Sequence, residues 1–510
     1  MHAAQLFSPV ILAGTLLLGN TARAAPEPLW ILLSAPDLRQ PLERLATQRM
    51  AEKFRVVTLD SSLAADGPKA VAAITSTAAG VDGPVYVVLA GTADESGPAG
   101  FRLPALRGTQ GRMKALFSDH GYSLTGGGEM PRAAVGRLPA RTAKEAEQMV
   151  EKILTFEKSG AAAEWRQRIT ALIGHPGGNS PLEKTFAAGY VNTAVGVRIS
   201  SLHPRWTARV TADVPGSPWL LEKAKLEPEF LRQAGEGSLL FLYMGHSGPD
   251  ALYSDGVSLL GTKSWQQAKF PHGGVFFSCG CHGLAPQTEK SEGHGFTAMR
   301  NPAGPAAFIG AVDISYSAAG QLAFDGLLNL LQKEEPPALL ADSWLAAMRG
   351  LASGKIDSAS FALLDMADGS GGAVPLEAQR KEHLEMWQLL GDPAMRLPLL
   401  PATIKLTGPD NVSPGATFTI SGELPAPLTA APVTITLERP PGLTVPGTDY
   451  AKANDPVLAR RKAVVKNLVI YSVELTVPAD YRAAGIIVRA LAGTNRGPAC
   501  GVLRVKVALP

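Results

Sequence analysis

The chain reads as an α/β unit of mostly parallel strands flanked by helices, followed by an all-β sandwich. Three observations carry this reading. Runs such as LWILLS (29–34), VYVVLA (85–90), LLFLY (239–243) and VFF (275–277) leave no polar alternation, which is the texture of strands buried on both faces. Helical periods fall between them, giving the strand–helix–strand rhythm of right-handed crossovers. Beyond Pro401 that rhythm stops, and alternating β-branched runs (TIKLTG, TFTISG, VTITL) are separated by Pro and Gly.

Residues 1–24 are expected to be a signal peptide. Leu6 to Leu18 form an apolar stretch, and Ala22-Arg23-Ala24 has the small-x-small form of a cleavage site. Little positive charge precedes the stretch, so a short N-terminal anchor is the competing reading. No later run reaches the roughly 18 apolar residues that span a bilayer. Export to periplasm, cell surface or medium follows as the expectation, without stable membrane insertion after cleavage.

Residues 25–160 are expected to form an N-terminal α/β subdomain. Its strands are 29–34, 55–59, 85–90 and 133–135, with helices around 42–53 and 70–78 and a loop-rich polar stretch from Gly91 to Gly128. Thr142 followed by Glu145 is a capping box, and Ala146, Met149, Val150, Ile153, Leu154 and Phe156 supply the apolar face of the helix it starts. Residues 161–400 are expected to form a second α/β subdomain. Strands end near Ile173, Tyr243, Phe277 and Ala311. Helices are predicted over 180–197, 226–234, 321–332, 338–351 and 376–390, the last stopped by Gly391-Asp392-Pro393. Residues 401–510 should make a sandwich of six or seven strands, of the Ig-like kind.

Composition narrows the function. With 48 basic against 45 acidic residues and no run of like charge, there is no electrostatic footprint for nucleic acid. Three cysteines are too few for a disulfide scaffold in an exported chain, and two of them, Cys279 and Cys281, crowd one strand end. That placement argues for chemistry. Cys500 reads as a buried or free thiol.

The chemistry is carried by SLLFLYMGHSG and GVFFSCGCHG. Each is a buried strand ended by a Gly-flanked reactive side chain, His246 in the first and Cys279 in the second. Groups that work on ligands sit at the carboxyl ends of strands in such sheets. A base on one strand end beside a thiol on a neighbour is the arrangement for covalent thiol catalysis. Cys281, two residues on, is the alternative nucleophile. His272 and His294, in Gly-rich stretches, read as surface residues, and Asp392 as a structural turn residue.

Four stretches in order, VGRLPA through FEK (135–158), GHSG (245–248), VFFSC (275–279) and LLGDPAMRLP (389–398), together with the β-rich tail, resemble the gingipain family of cysteine peptidases. The resemblance covers about residues 29–510. It implies a caspase- and legumain-like catalytic fold with a C-terminal Ig-like domain, and a Cys–His dyad of Cys279 and His246, 33 positions apart. It further implies an endopeptidase acting on proteins or peptides through a thioester, with no cofactor or metal. A monomer is expected. The backbone N–H of Ser247 falls where the family has Gly after the histidine, and stands as the oxyanion donor together with that of Cys279. Two features depart from the family: Ser247 itself, and the dense Cys279-Gly280-Cys281-His282-Gly283 cluster.

Two other readings stay open on the residues. Cys279, Cys281, His282 and His246 are two sulfurs and two nitrogens, a zinc set, although C-x-C is tighter than usual spacing. A catalytically inactive relative kept as a binding scaffold is the other. A Cys279–Cys281 redox couple would close a one-residue loop with strain.

Overall fold

The computed structural model describes residues 26–509 except 94–96, 159–163, 178–180, 286–291, 357, 429–430, 443–448 and 495–496. The expected signal peptide lies outside the described residues. No helix among them is long and apolar enough to cross a membrane.

Ten strands form one sheet. In chain order they are β1 (Leu29–Ser34), β2 (Arg55–Thr58), β3 (Val85–Ala90), β4 (Ala133–Leu138), β5 (Arg168–Ile173), β6 (Thr207–Ala212), β7 (Leu240–Met244), β8 (Val275–Cys279), β9 (Ala307–Ala311) and β10 (Trp387–Leu390). Their spatial order is β2-β1-β3-β4-β10-β9-β8-β7-β5-β6. Every pair is parallel except β9 with β10, so two five-stranded parallel halves meet back to back at that seam.

Both faces of the inner strands are covered, which is why runs such as β1 and β3 are buried at every residue, whereas the edge strands β2 and β6 are mixed. Successive residues of β1 point to opposite sides. Trp30 and Leu32 enter the main core, while Leu29, Ile31 and Leu33 pack with Ile74 on the other face. Each such leucine, fully buried, contributes about 1.5–3 kcal/mol. The main core runs across both halves, from Trp30 and Tyr86 to Phe241, Phe276 and Phe308.

Three local features depart from the sequence reading or are absent from it. The last helix stops at Met386, and Trp387–Leu390 is a strand. Pairing on both sides, with Phe308 opposite Leu390 and Leu390 opposite Arg137, overrides the helical period there. A helix over Ala359–Asp368, unmarked by a strong apolar period, packs beside the site. At the capping box, Thr142 Oγ1 accepts the Glu145 N–H at 3.1 Å, but the Glu145 carboxylate takes the N–H of Arg141 instead of that of Thr142.

The C-terminal region is a sandwich of a four- and a five-stranded sheet, nine strands among the described residues, around its own core of Ile420, Ile435, Leu437, Leu475 and Val488. It closes the edge of the large sheet. Asn454 bonds the N–H and the carbonyl of Val210 on edge strand β6, at 2.7 and 2.9 Å, satisfying backbone groups that an open edge would leave to another chain. Arg489 donates to the Arg205 carbonyl at 2.5 Å while paired with Glu438.

Candidate active site

Three adjacent strands end at one level. Ile173 of β5 lies opposite Met244 of β7, and Met244 opposite Cys279 of β8. The chain then leaves the sheet three times through glycine, at Gly174, Gly245 and Gly280. Gly245 has φ +153°, and a Cβ there would come within 2.7 Å of the Tyr243 hydroxyl and 3.1 Å of the Gly174 α-carbon. Only glycine lets the two exits pass so closely.

His246 follows, exposed at the mouth. Its Nε2 lies 3.0 Å from the carbonyl oxygen of Pro176, on the exit from β5. A carbonyl only accepts, so in the neutral ring Nε2 carries the proton and Nδ1 the lone pair. The backbone under the ring is pinned as well: the hydroxyl of Tyr243 lies 2.5 Å from the His246 carbonyl and 2.7 Å from that of Tyr253. Burial raises the pKa of that phenol far above the ordinary tyrosine range, so it stays a donor.

His246 and Ser247 open a small antiparallel meander, opposite Tyr253 and Leu252, while the next N–H, of Gly248, bonds Ala251 O at 2.9 Å. Bonded and non-bonded pairs alternate in such a ladder, so the Ser247 N–H points away from its hairpin partner. Its side chain is occupied: Oγ donates to the Cys281 carbonyl. Gly280 fits beneath it, since a Cβ on Gly280 would stand 2.1 Å from Ser247 Oγ.

Cys279 is half-buried at the end of β8. Burial pushes its thiol well above the ordinary cysteine range, despite the opposing pull of the Arg198 charge, so the resting sulfur is protonated. Cys281 is also half-buried; its thiol donates to Ser315 O at 3.7 Å and is likewise pushed up by burial. Cys279, Cys281 and His246 line one pocket of about 210 Å³.

The remaining candidates lie elsewhere. His282, with φ +54°, turns its ring to Asp313, Nδ1 3.5 Å from the carboxylate. Among the described residues no three of His, Cys, Asp or Glu converge as metal ligands do. His294, expected at the surface, is fully buried, its ring stacked 5.8 Å from that of Trp265, with Nδ1 3.1 Å from Gly248 O. Burial lowers its pKa to about 4. His272 is half-buried and stacks on Trp165 at 5.0 Å. Asp392 is buried as the acceptor for Arg49, Trp30 and Ala394. Cys500 is a buried free thiol.

Sequence reasoning missed Pro176 and Tyr243. The first acts through a backbone carbonyl, which leaves no mark on residue type. The second is hidden inside an apolar run, where a tyrosine reads as core.

The model described as peptidase family C25 matches residues 23–398. A solved structure described as "Structure of Protease" is similar at 15% identity with a TM-score of 0.51, covering 94% of this chain and 97% of its own. The sulfur carrier protein SoxY from Chlorobium limicola f thiosulfatophilum matches at 16% identity and a TM-score of 0.15, over 22% of this chain and 87% of its own. No curated protein matches.

Proposed function

The chain belongs to peptidase family C25, the gingipain family, and is a cysteine peptidase; from that premise we propose that it is an exported endopeptidase in which Cys279 is the nucleophile and His246 the base. The observation that carries this is the shared pocket of Cys279 and His246 at the ends of neighbouring strands, with the His246 ring oriented by Pro176 O.

The buried thiol needs a base at the moment of attack. His246 Nδ1 takes the proton from Cys279 Sγ as sulfur bonds to the peptide carbonyl carbon. The imidazolium that forms keeps its Nε2–H on Pro176 O. Charge on the substrate oxygen is met by the Ser247 N–H, while the Cys279 N–H, expected as a second donor, is taken up in the ladder with β7; loss of one such donor typically costs about two to three orders of magnitude. The C–N bond then breaks, the amine leaves with the proton from His246, and a thioester remains on Cys279. Water attacks that thioester while His246 accepts its proton, releasing the acid and restoring the thiol. No metal or organic cofactor enters these steps. Cys281 is the weaker candidate, because it lies past the strand end with its carbonyl held by Ser247 and its thiol directed to Ser315.

The test is hydrolysis of internally quenched peptides blocked at both ends. Wild type and Cys281→Ala should cleave them, while Cys279→Ala loses about four or more orders of magnitude in kcat. Full activity in Cys279→Ala would refute the assignment. Activity confined to unblocked peptides would refute the endopeptidase reading. For export, N-terminal sequencing of the mature protein should begin at Ala25; an intact Met1 or its neighbours would contradict cleavage.

A further inference from the structure

We propose that the pocket beside Cys279 selects a large apolar side chain at P1, the residue whose carbonyl the thiol attacks. This rests on Cys279 as the nucleophile. In a thioester on Cys279 the acyl carbon is bonded to Sγ, and the P1 Cα is one bond further. The cavity onto which Cys279 and Cys281 open therefore receives that side chain.

Its walls are apolar by construction. Ala187, Tyr190, Val191 and Ala194 follow the i, i+3, i+4, i+7 spacing of one face of the helix Pro181–Ser201, and that face lines the pocket. Phe324 and Leu364 come from two further helices, Ser317–Leu331 and Ala359–Asp368. At about 210 Å³ the space exceeds the roughly 150 Å³ apolar cavity that takes a benzene ring.

The charged groups of the wall place no carboxylate among its apolar residues. Arg198 is held by Asp325 through two bonds, Nε to Oδ1 at 2.8 Å and a second nitrogen to Oδ2 at 3.1 Å. Asp368 sits exposed at the rim and accepts the Ser317 hydroxyl at 2.6 Å. Among the described residues Asp368 is the one carboxylate of this lining and is exposed, so a lysine or arginine pushed past it among the apolar residues would leave water with no carboxylate to meet there, which is strongly disfavoured. At the mouth, Phe186 and Leu363 remain 58% and 60% exposed, large apolar side chains that a bound substrate would cover.

The experiment is kcat/KM of the wild-type enzyme on blocked peptides identical except at P1, with Phe, Leu, Ala, Arg, Lys and Glu. Phe and Leu should exceed Ala by roughly ten- to a hundredfold, the burial of one large side chain converted at tenfold per 1.4 kcal/mol, and Arg and Lys should fall below Phe. Ala194→Phe, which fills the pocket, should lower the Phe-to-Ala ratio at least tenfold. Arg or Lys as the best substrate, with turnover abolished by Cys279→Ala, would overturn the apolar selection and leave the peptidase assignment standing. An unchanged Phe-to-Ala ratio in Ala194→Phe would also overturn it. No turnover of any peptide would overturn both.

Discussion

His246 Nε2 lies 3.0 Å from the carbonyl oxygen of Pro176, and this contact decides which ring nitrogen can act as a base. The neutral ring should be the Nε2–H tautomer, visible in nitrogen-15 spectra of the ring; a dominant Nδ1–H form would contradict the account. His246→Gln can keep a donor toward Pro176 O but has no basic nitrogen. It should fold normally and lose about two to four orders of magnitude in kcat.

Gly280 and Ser247 are coupled by contact. A Cβ at position 280 would meet Ser247 Oγ at 2.1 Å and Ser247 Cβ at 2.9 Å, so Gly280→Ala must displace Ser247, the proposed oxyanion donor. Activity should fall at least tenfold with a smaller effect on folding. Adding Ser247→Gly removes both clashing atoms and should restore part of the loss. Equal activity of the single and double variants would show that the contact is not what matters.

Asp392 supports the fold rather than the chemistry. It is fully buried, bonding Arg49 Nε at 2.8 Å and Trp30 Nε1 at 3.1 Å, and it joins the start of the chain to the turn after β10. Asp392→Ala leaves Arg49 paired with Glu157 and Glu52 but removes the acceptor of the Trp30 indole and the Ala394 N–H, and should cost about 2–4 kcal/mol in urea unfolding. Activity per folded molecule should be unchanged. A cost below 1 kcal/mol would contradict this.

His294 and His383 make the fold sensitive to acid. Burial lowers both to about 4 from an ordinary value of 6.5. His383 donates from Nδ1 to Gln379 O at 2.6 Å and accepts the Tyr316 N–H at 2.8 Å, so protonation would break the second bond. Between pH 6.5 and 4 the unfolded chain binds protons that the folded chain refuses. The stabilisation is complete above about 6.5 and is lost as pH falls toward 4. Urea midpoints should decline over that window, less steeply in His294→Asn. A midpoint curve of equal slope in that variant would contradict the assignment to His294.

Much of this was legible in the sequence, for a physical reason. Strands covered on both faces, such as β1, β3 and β8, cannot alternate, so their apolar runs stand out. A reactive residue set directly after such a run, as His246 and Cys279 are, reveals its place at a strand end. Trp387–Leu390 was not legible, because four residues continuing a helical period become a strand only through neighbours contributed by distant parts of the chain. The burial of His294 was equally hidden, since Gly293 and Gly295 suggest a loop while Trp265 and Phe308, which enclose the ring, arrive from elsewhere.

Catalysis, as proposed, turns on Cys279 as the nucleophile and His246 as the base that activates it. This is tested most directly by treating wild type, Cys279→Ala, Cys281→Ala and His246→Ala with peptidyl acyloxymethyl ketones, then measuring intact mass and mapping the adduct. One adduct on Cys279 is expected in wild type and in Cys281→Ala, and none in Cys279→Ala or His246→Ala on the same timescale. An adduct mapped to Cys281, or labelling of Cys279 undiminished in His246→Ala, would contradict it.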